Sequence, residues 1–226
     1  MTDERLILLL VGAAGAGKGT QATVLANELG IPHLASGDLF RAAMSAGTPL
    51  GNEAKSYMER GELVPDATTI KMFMEELSRP GAKRGAILDG FPRTVAQARA
   101  LDGTLATMGE RVGKVIYIEV PTEALVRRLA GRWVCPACGT PYHEIYDPPK
   151  APGLCDREGA EIVQRDDDRP EVVRSRLEQQ VPPMREVVAH YEAAGVVQRV
   201  DGERPIEEIG DDILRLVRSG APGDNP

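Results

Sequence analysis

Leu6-Ile7-Leu8-Leu9-Leu10-Val11 runs without a break into Gly12-Ala13-Ala14-Gly15-Ala16-Gly17-Lys18-Gly19-Thr20, and this junction decides the fold. Six consecutive apolar residues ending at a glycine predict a strand covered on both faces, as in a parallel sheet. The glycine, four-residue gap and Gly17-Lys18 then satisfy the phosphate-loop pattern. Glycines let backbone amides converge on phosphate oxygens with no side chain in the way. The helix that follows offers its positive N-terminus, and Lys18 adds a mobile cation. A turn between strand and helix needs neither four glycines nor a lysine so arranged. Gly19 stands where a serine or threonine commonly meets magnesium, with the hydroxyl postponed to Thr20, so indirect magnesium coordination is expected.

Working outward, apolar runs with β-branched residues recur at Ala86–Leu88, Val115–Val120 and Val196–Val200, separated by helical stretches. That alternation predicts an α/β fold, a parallel sheet flanked by helices. Helices are expected at Gly19–Leu29, Gly37–Ala46, Leu50–Arg60, Asp66–Leu77, Thr94–Met108, Thr122–Ala130 and Glu171–Ala194. Ser36, Asp66 and Thr94 are the candidate caps. Pro182-Pro183 should kink or split the last helix. Two stretches break the pattern. Residues 35–64 read as a helical insertion without a strand, and 131–168, rich in Pro, Gly, Cys and acidic residues, as a second inserted lobe.

The chain has 226 residues, 42% hydrophobic and 27% charged, enough for one substantial core with small inserted lobes. A net charge of -7 supplies no broad positive field for gripping a polyanion, so phosphate binding must be local. No apolar run reaches the roughly 20 residues of a membrane span. The acidic start Met1-Thr2-Asp3-Glu4 does not resemble a secretory signal, and a cytoplasmic protein is expected. Residues 219–226, polar and rich in Gly and Pro, read as a disordered tail.

The run Ala86-Ile87-Leu88 ends in Asp89, which suits the acidic strand end that organises magnesium in phosphate-loop enzymes. With Asp89-Gly90-Phe91-Pro92-Arg93-Thr94 beside GAAGAGKGTQ at Gly12 to Gln21, the chain resembles the adenylate kinase family. Further matches are Ala35-Ser36-Gly37-Asp38 followed by Arg41, Gly61 to Asp66, Gly131-Arg132, Arg165 to Asp168, Arg174-Ser175-Arg176 and Val200-Asp201-Gly202. The resemblance implies reversible phosphoryl transfer from Mg-ATP to AMP, giving two ADP and maintaining adenine nucleotide balance, by a monomeric enzyme. It implies a core of residues 1–34, 65–130 and 169–218, an AMP-binding lobe at 35–64 and a lid at 131–168.

Residue by residue, the resemblance places ATP against Gly15, Ala16, Gly17, Lys18, Gly19, Thr20, Arg132, Pro141, Tyr142 and Arg204. It places AMP against Ser36, Arg41, Glu62, Leu63, Val64, Gly90, Phe91, Pro92, Arg93 and Gln97, with main-chain contacts at Val64 and Arg204. Arg128, Arg165 and Arg176 would bridge the phosphates. Three departures stand out: Ala14 for a common proline, Ser36 for a frequent threonine, and Glu62 where a basic residue is frequent.

The chemistry agrees with this layout. Phosphoryl transfer spreads negative charge over the moving group, and one well-placed arginine is worth roughly 10³ to 10⁵ in rate. Lys18, Arg41, Arg93, Arg128, Arg132 and Arg165 lie on separate segments, so closure must gather them and exclude water. No general base is needed, because the AMP phosphate is already anionic. Asp89 is assigned to magnesium and its waters, and Asp167 with Asp168 to the shape of the closed lid.

Cys135-Pro136-Ala137-Cys138 is a CxxC knuckle, and Cys155-Asp156-Arg157-Glu158 repeats the spacing 17 positions later with Glu at the end. Two knuckles at this separation suggest one structural zinc site of Cys135, Cys138, Cys155 and Glu158. A lid held by hydrogen bonds alone, or a fourth ligand from Asp156 or His143, remain alternatives. His33 and His190 are read as structural or surface residues, and Trp133 as lid packing.

A GTPase switch is disfavoured because no NKxD signature exists; the asparagines are Asn27, Asn52 and Asn225. Residues 131–168 carry four basic against eight acidic residues, which repels nucleic-acid phosphates and argues against a zinc-ribbon module. The nearer alternatives are enzymes of this fold using GTP as donor or UMP/CMP as acceptor.

Overall fold

The computed structural model describes residues 5–60 and 62–219. Gly61, the acidic N-terminus and all but Ser219 of the expected tail lie outside the described residues, as do the side chains of Asp167, Pro170 and Glu171.

The strands are β1 (Leu6–Val11), β2 (His33–Ala35), β3 (Gly85–Asp89), β4 (Lys114–Glu119) and β7 (Val197–Asp201), which form a sheet in the order β2-β3-β1-β4-β7. Every pairing is parallel. β5 (Arg132–Val134) and β6 (Pro141–His143) form a separate antiparallel pair. The helices are α1 (Lys18–Leu29), α2 (Ser36–Ser45), α3 (Pro49–Glu59), α4 (Asp66–Leu77), α5 (Val95–Thr107), α6 (Thr122–Ala130), α7 (Pro170–Ala193) and α8 (Ile206–Arg218).

β1 lies at the centre, and its alternation sorts the core into two halves. Ile7, Leu9 and Val11 pack with Phe73 of α4, Leu101 of α5 and Val187 of α7. Leu8 and Leu10 pack with Leu25 of α1, Leu129 of α6 and Ile213 of α8. Each of these side chains is essentially inaccessible to water, worth about 1.5–3 kcal/mol apiece relative to exposure. An alternating strand would suit a sheet with one wet face; this unbroken run suits a sheet with none.

α7 is the principal departure from expectation. It runs unbroken through Pro182 and Pro183. Its first half packs Val173 and Leu177 into one core half, and its second half packs Met184, Val187, Val188 and Tyr191 into the other. Val181 touches both, so the prolines lie where the helix changes partners, and burial on either side holds the turns that their missing N–H groups weaken.

The caps are also only partly as expected. The Thr94 hydroxyl accepts from Gln97 N at 3.2 Å, whereas Ser36 and Asp66 are the first residues of their helices, with no side-chain cap at either N-terminus. α8 is not among the helices expected from the sequence, although Ile206, Ile209 and Ile213 carry its three-to-four spacing. β2 is short and begins at His33, where Pro32-His33 reads as a strand start.

Candidate active site

The loop between β1 and α1 is shaped by what glycine alone permits. A Cβ on Gly12 would stand 2.9 Å from the Ile118 carbonyl of β4, and Gly15 and Gly17 take φ of 84° and 91°. The Ala16 amide returns to the Ala13 carbonyl at 3.1 Å, closing the loop upon itself. Lys18 opens α1 and folds back across the loop, Nζ donating to the carbonyls of Gly12 at 2.8 Å and Ala13 at 3.0 Å. Burial lowers its pKa to about 8, with Asp89 opposing and the charges of Arg93, Arg176 and Arg132 adding to the fall. Three dispersed arginines therefore converge on the lysine. This is a site rich in amides and cations, fit for a polyphosphate.

Asp89 ends β3 beside this loop. Burial alone would raise its pKa, but the hydrogen bond from His33 and the charges of Lys18, His33 and Arg93 together hold it below the ordinary carboxylate range. His33 Nε2 lies 3.3 Å from Asp89 Oδ2. A Cβ added at Gly19 would be 3.7 Å from the same oxygen, so Asp89 borders the loop at the start of α1. A charged oxygen donor beside a phosphate loop fits magnesium or its waters.

Arg93 is a hub. Nε donates to the Gly90 carbonyl at 2.8 Å, Nη1 to Gln180 Oε1 at 3.0 Å and Nη2 to Ser36 Oγ at 3.1 Å. Gln97 accepts from Arg93 N at 2.7 Å and donates to Asp66 Oδ1 at 2.7 Å, while the Thr94 hydroxyl donates to Asp66 Oδ2 at 2.9 Å. Ser36, Gly90, Arg93 and Gln97, which the sequence assigned to one nucleotide, thus share one network. Gly90 needs its φ of 71° here, and a Cβ would strike Ser36 Oγ at 2.5 Å.

Asp168 is fully buried and joins two further cations. Arg132 grips it through Nε at 2.6 Å and Nη2 at 2.5 Å, and Arg176 Nη1 reaches Oδ1 at 3.0 Å. Arg165 approaches Asp38 at 4.0 Å, and Asp38 also accepts from Arg41 at 2.7 Å, so the end of 131–168 meets α2. Arg128 stands apart from this group, donating to the Gly202 carbonyl at 2.8 Å and lying over the Tyr146 ring at 5.9 Å.

Several expected contact residues turn their side chains elsewhere. Phe91 is buried, stacked on Phe73 at 4.2 Å, and Pro92 is buried beside it. Val64 is buried, with its carbonyl accepting from Thr69 at 3.4 Å; Leu63 is half-buried, and Glu62 pairs with Arg60 at 2.6 Å. Arg204 pairs with Glu208 at 2.8 Å and with Asp212. Pro141 is exposed on β6, and the Tyr142 phenol donates to Cys155 Sγ at 3.3 Å.

Cys135, Cys138 and Cys155 have their sulfurs within 4.8 Å of one another, with Cys138 and Cys155 at 3.6 Å. Tetrahedral zinc–sulfur bonds of about 2.3 Å would set sulfurs about 3.8 Å apart, so the cluster fits that geometry. Burial would raise the Cys155 thiol, but the Tyr142 hydroxyl and the amides of Glu158 and Arg157 hold it low, at about 6. Glu158 is the one expected ligand that departs. Its carboxylate is not in the cluster and its side chain is exposed; it contributes its backbone N–H instead.

His33 and Gln180 are site residues that the sequence does not announce, and Asp66 reads from it only as a cap. His33 lies three residues after the helix-ending Gly30, with no motif of its own. Gln180 lies mid-helix, where only tertiary packing brings it to Arg93.

Comparison with known proteins agrees with this geometry. A family model described as adenylate kinase matches residues 10–196. The chain is 49% identical to the adenylate kinase of Exiguobacterium sibiricum over 210 residues, covering 93% of this chain and 98% of that protein. The adenylate kinases of Staphylococcus aureus and Staphylococcus epidermidis are 44% identical over the same spans.

Proposed function

The chain belongs to the adenylate kinase family, and from that premise we propose how its residues divide the work of the family reaction. It catalyses the reversible transfer of a phosphoryl group from ATP to AMP, giving two ADP. The observation that carries the assignment of parts is that Arg132 and Arg176 share the buried Asp168 while Arg93 reaches Gly90, Ser36 and Gln180, their charges all acting on Lys18 of the phosphate loop.

In this reading Gly15 to Thr20 cradle the ATP phosphates with backbone amides, and Lys18 leaves the Gly12 and Ala13 carbonyls to follow them. Arg93 holds the AMP phosphate from the Ser36–Gln97 network, with Arg41 on the same side. Arg132, Arg165 and Arg176 neutralise charge between the two nucleotides; Arg128, expected with them from the resemblance, instead reaches the Gly202 carbonyl and is assigned, with the main chain near Gly202 and Arg204, to the adenine side of ATP. Magnesium, when bound, would supply neutralising charge to the phosphates. Asp89 would receive its water shell. Residues 35–64 serve as the AMP-binding lobe and 131–168 as a lid whose closure excludes water that would hydrolyse the donor.

The cysteine cluster is assigned to structural zinc, with Cys135, Cys138 and Cys155 as ligands and the fourth supplied by Glu158 after its side chain turns inward. Four protein ligands leave no open position for substrate, so the ion supports folding of the lid and takes no part in transfer. Three cysteines kept as thiols suit a cytoplasmic enzyme. A monomer is proposed. No described helix is long and apolar enough to cross a membrane.

A coupled assay with AMP, UMP, CMP and GMP against ATP and GTP tests the substrate assignment. AMP with ATP should be fastest, and rapid UMP turnover with none of AMP would sink it. Metal analysis of the purified protein should find close to one zinc, and less than about one-tenth equivalent would remove the metal reading.

A further inference from the structure

We propose that His33 is a positioning residue for the reaction: its Nε2–H fixes the Asp89 carboxylate in the orientation that receives the magnesium water shell. The inference rests on the assignment of Asp89 above and extends it to a residue of β2, outside both the phosphate loop and the Asp89 to Thr94 stretch.

The geometry begins with the sheet. β2 and β3 are parallel, and their register pairs Ala35 with Asp89 and His33 with Ile87. His33 is therefore two residues from the position opposite Asp89, on the same face, a diagonal that a long side chain spans. Its ring does span it, Nε2 to Oδ2 at 3.3 Å, with both side chains largely buried at 18% and 12% exposure. Asp89 is a charged carboxylate and accepts only, so Nε2 must carry the proton. Lys18 acts on the same carboxylate from the loop after β1. Asp89 is thus held from the β2 side by a hydrogen bond and from the β1 side by a charge.

The bond is not needed to attach the edge strand. β2 is already joined to β3 by its ladder and by the Ile87 amide donating to the Pro32 carbonyl at 2.9 Å. What it supplies is orientation. A carboxylate at a strand end turns freely about its last bond, and one fixed oxygen leaves the other in a defined place. Partners of metal-binding carboxylates act this way, and removing one typically costs about 10- to 100-fold in metal affinity or activity. Because Asp89 would act through waters, the lower end applies.

The test uses the full-length enzyme and Mn2+ in place of magnesium, with retention of Mn2+ on the enzyme–ATP complex read by electron paramagnetic resonance alongside steady-state turnover. His33→Asn shortens the arm so that no donor reaches Asp89, while His33→Gln keeps an amide N–H near the position of Nε2. Asn should weaken Mn2+ retention and lower kcat by about 10-fold with KM for AMP unchanged, and Gln should stay within about twofold of the parent on all three. His33→Ala makes the same comparison should the Asn variant not fold. Asp89→Asn is the control for the underlying reading. If Asp89→Asn releases Mn2+ while His33→Asn does not, the role of His33 is overturned and that of Asp89 stands. If Asp89→Asn leaves Mn2+ in place, the assignment of Asp89 fails and the inference with it. Equal losses in the Asn and Gln variants would also overturn it, because the donor's reach would then not be the cause.

Discussion

Lys18 is a buried cation whose nearest charged neighbours are mostly of its own sign. Burial comes first, and the charges of Arg93, Arg176 and Arg132 add to it, so only Asp89 opposes a fall from 10.5 to about 8. Between these two values the unfolded chain binds the proton that the folded enzyme has lost, so stability rises with pH across that window. Below about 8 the folded state bears the whole penalty. A bound triphosphate reverses the balance by giving the lysine its counter-charge. ATP binding above pH 8 should therefore take up a proton, and affinity should fall by up to about tenfold per pH unit towards 10.5. Calorimetry at pH 9 in two buffers of different ionisation enthalpy measures the uptake, and a value near zero would remove Lys18 as the phosphate's cation. Lys18→Met should abolish the uptake and slow turnover by about 10³-fold or more, with the far-UV melt retained or raised because a buried charge is gone. Lys18 and Asp89 were legible because strand, glycine and charge occur together in one short stretch. His33 was not, because its contact is set by the register of two strands over 50 residues apart in the chain.

Elements were legible where a single face is buried and less so where a helix changes partners. α4 and α6 have the bounds that periodicity predicts, whereas the prolines of α7 predicted a break that packing on both core halves overrides. The α2–α3 pair supplies a sharper test of packing against propensity. α3 starts at a Thr48 cap, with Oγ1 accepting from Gly51 N at 3.1 Å and Pro49 at the first turn. Gly51 is where the helices come closest: a Cβ there would stand 2.2 Å from the carbonyl carbon and oxygen of Ala43. In an ordinary helix interior, Gly→Ala stabilises by about 0.5–1 kcal/mol. Here the clash is with backbone, which cannot rotate away. Gly51→Ala should therefore destabilise by about 2–3 kcal/mol in denaturant unfolding, and any gain in stability would show that α3 is free to shift off α2. The cysteine segment was legible as a knuckle by spacing alone, yet spacing could not tell whether Glu158 offers its carboxylate or its amide.

At the scale of the whole molecule, the site is a consequence of topology. In a parallel sheet the segments leaving the C-terminal strand ends meet along one edge, which is why ligands bind there in open α/β folds. Lys18 follows β1 and Arg93 follows β3, while Arg132 and Arg176 come in from β5 and α7. Motif order made their meeting legible, because each cation marked its own segment. The carboxylate that makes the meeting tolerable without substrate was harder to read, since three consecutive aspartates precede α7 and spacing does not choose among them. Asp168 has no exposure and is held by Arg132 and Arg176. Its position ties Arg132, at the start of the segment after α6, to Arg176 of the helix that crosses both core halves, so it joins two segments as well as balancing charge. Replacing one partner of a buried ion pair leaves the other cations uncompensated and costs about 3–5 kcal/mol; with Arg132 one-fifth exposed, about 3 kcal/mol is expected for Asp168→Asn. The loss should shrink when saturating ATP and AMP are added, because their phosphates then meet the cations that the amide no longer neutralises. Thermal unfolding of parent and variant, with and without both nucleotides, reads the two effects. A variant equally destabilised in both states would confine Asp168 to joining the two segments, and a parent-like melt without nucleotide would show that it carries neither burden.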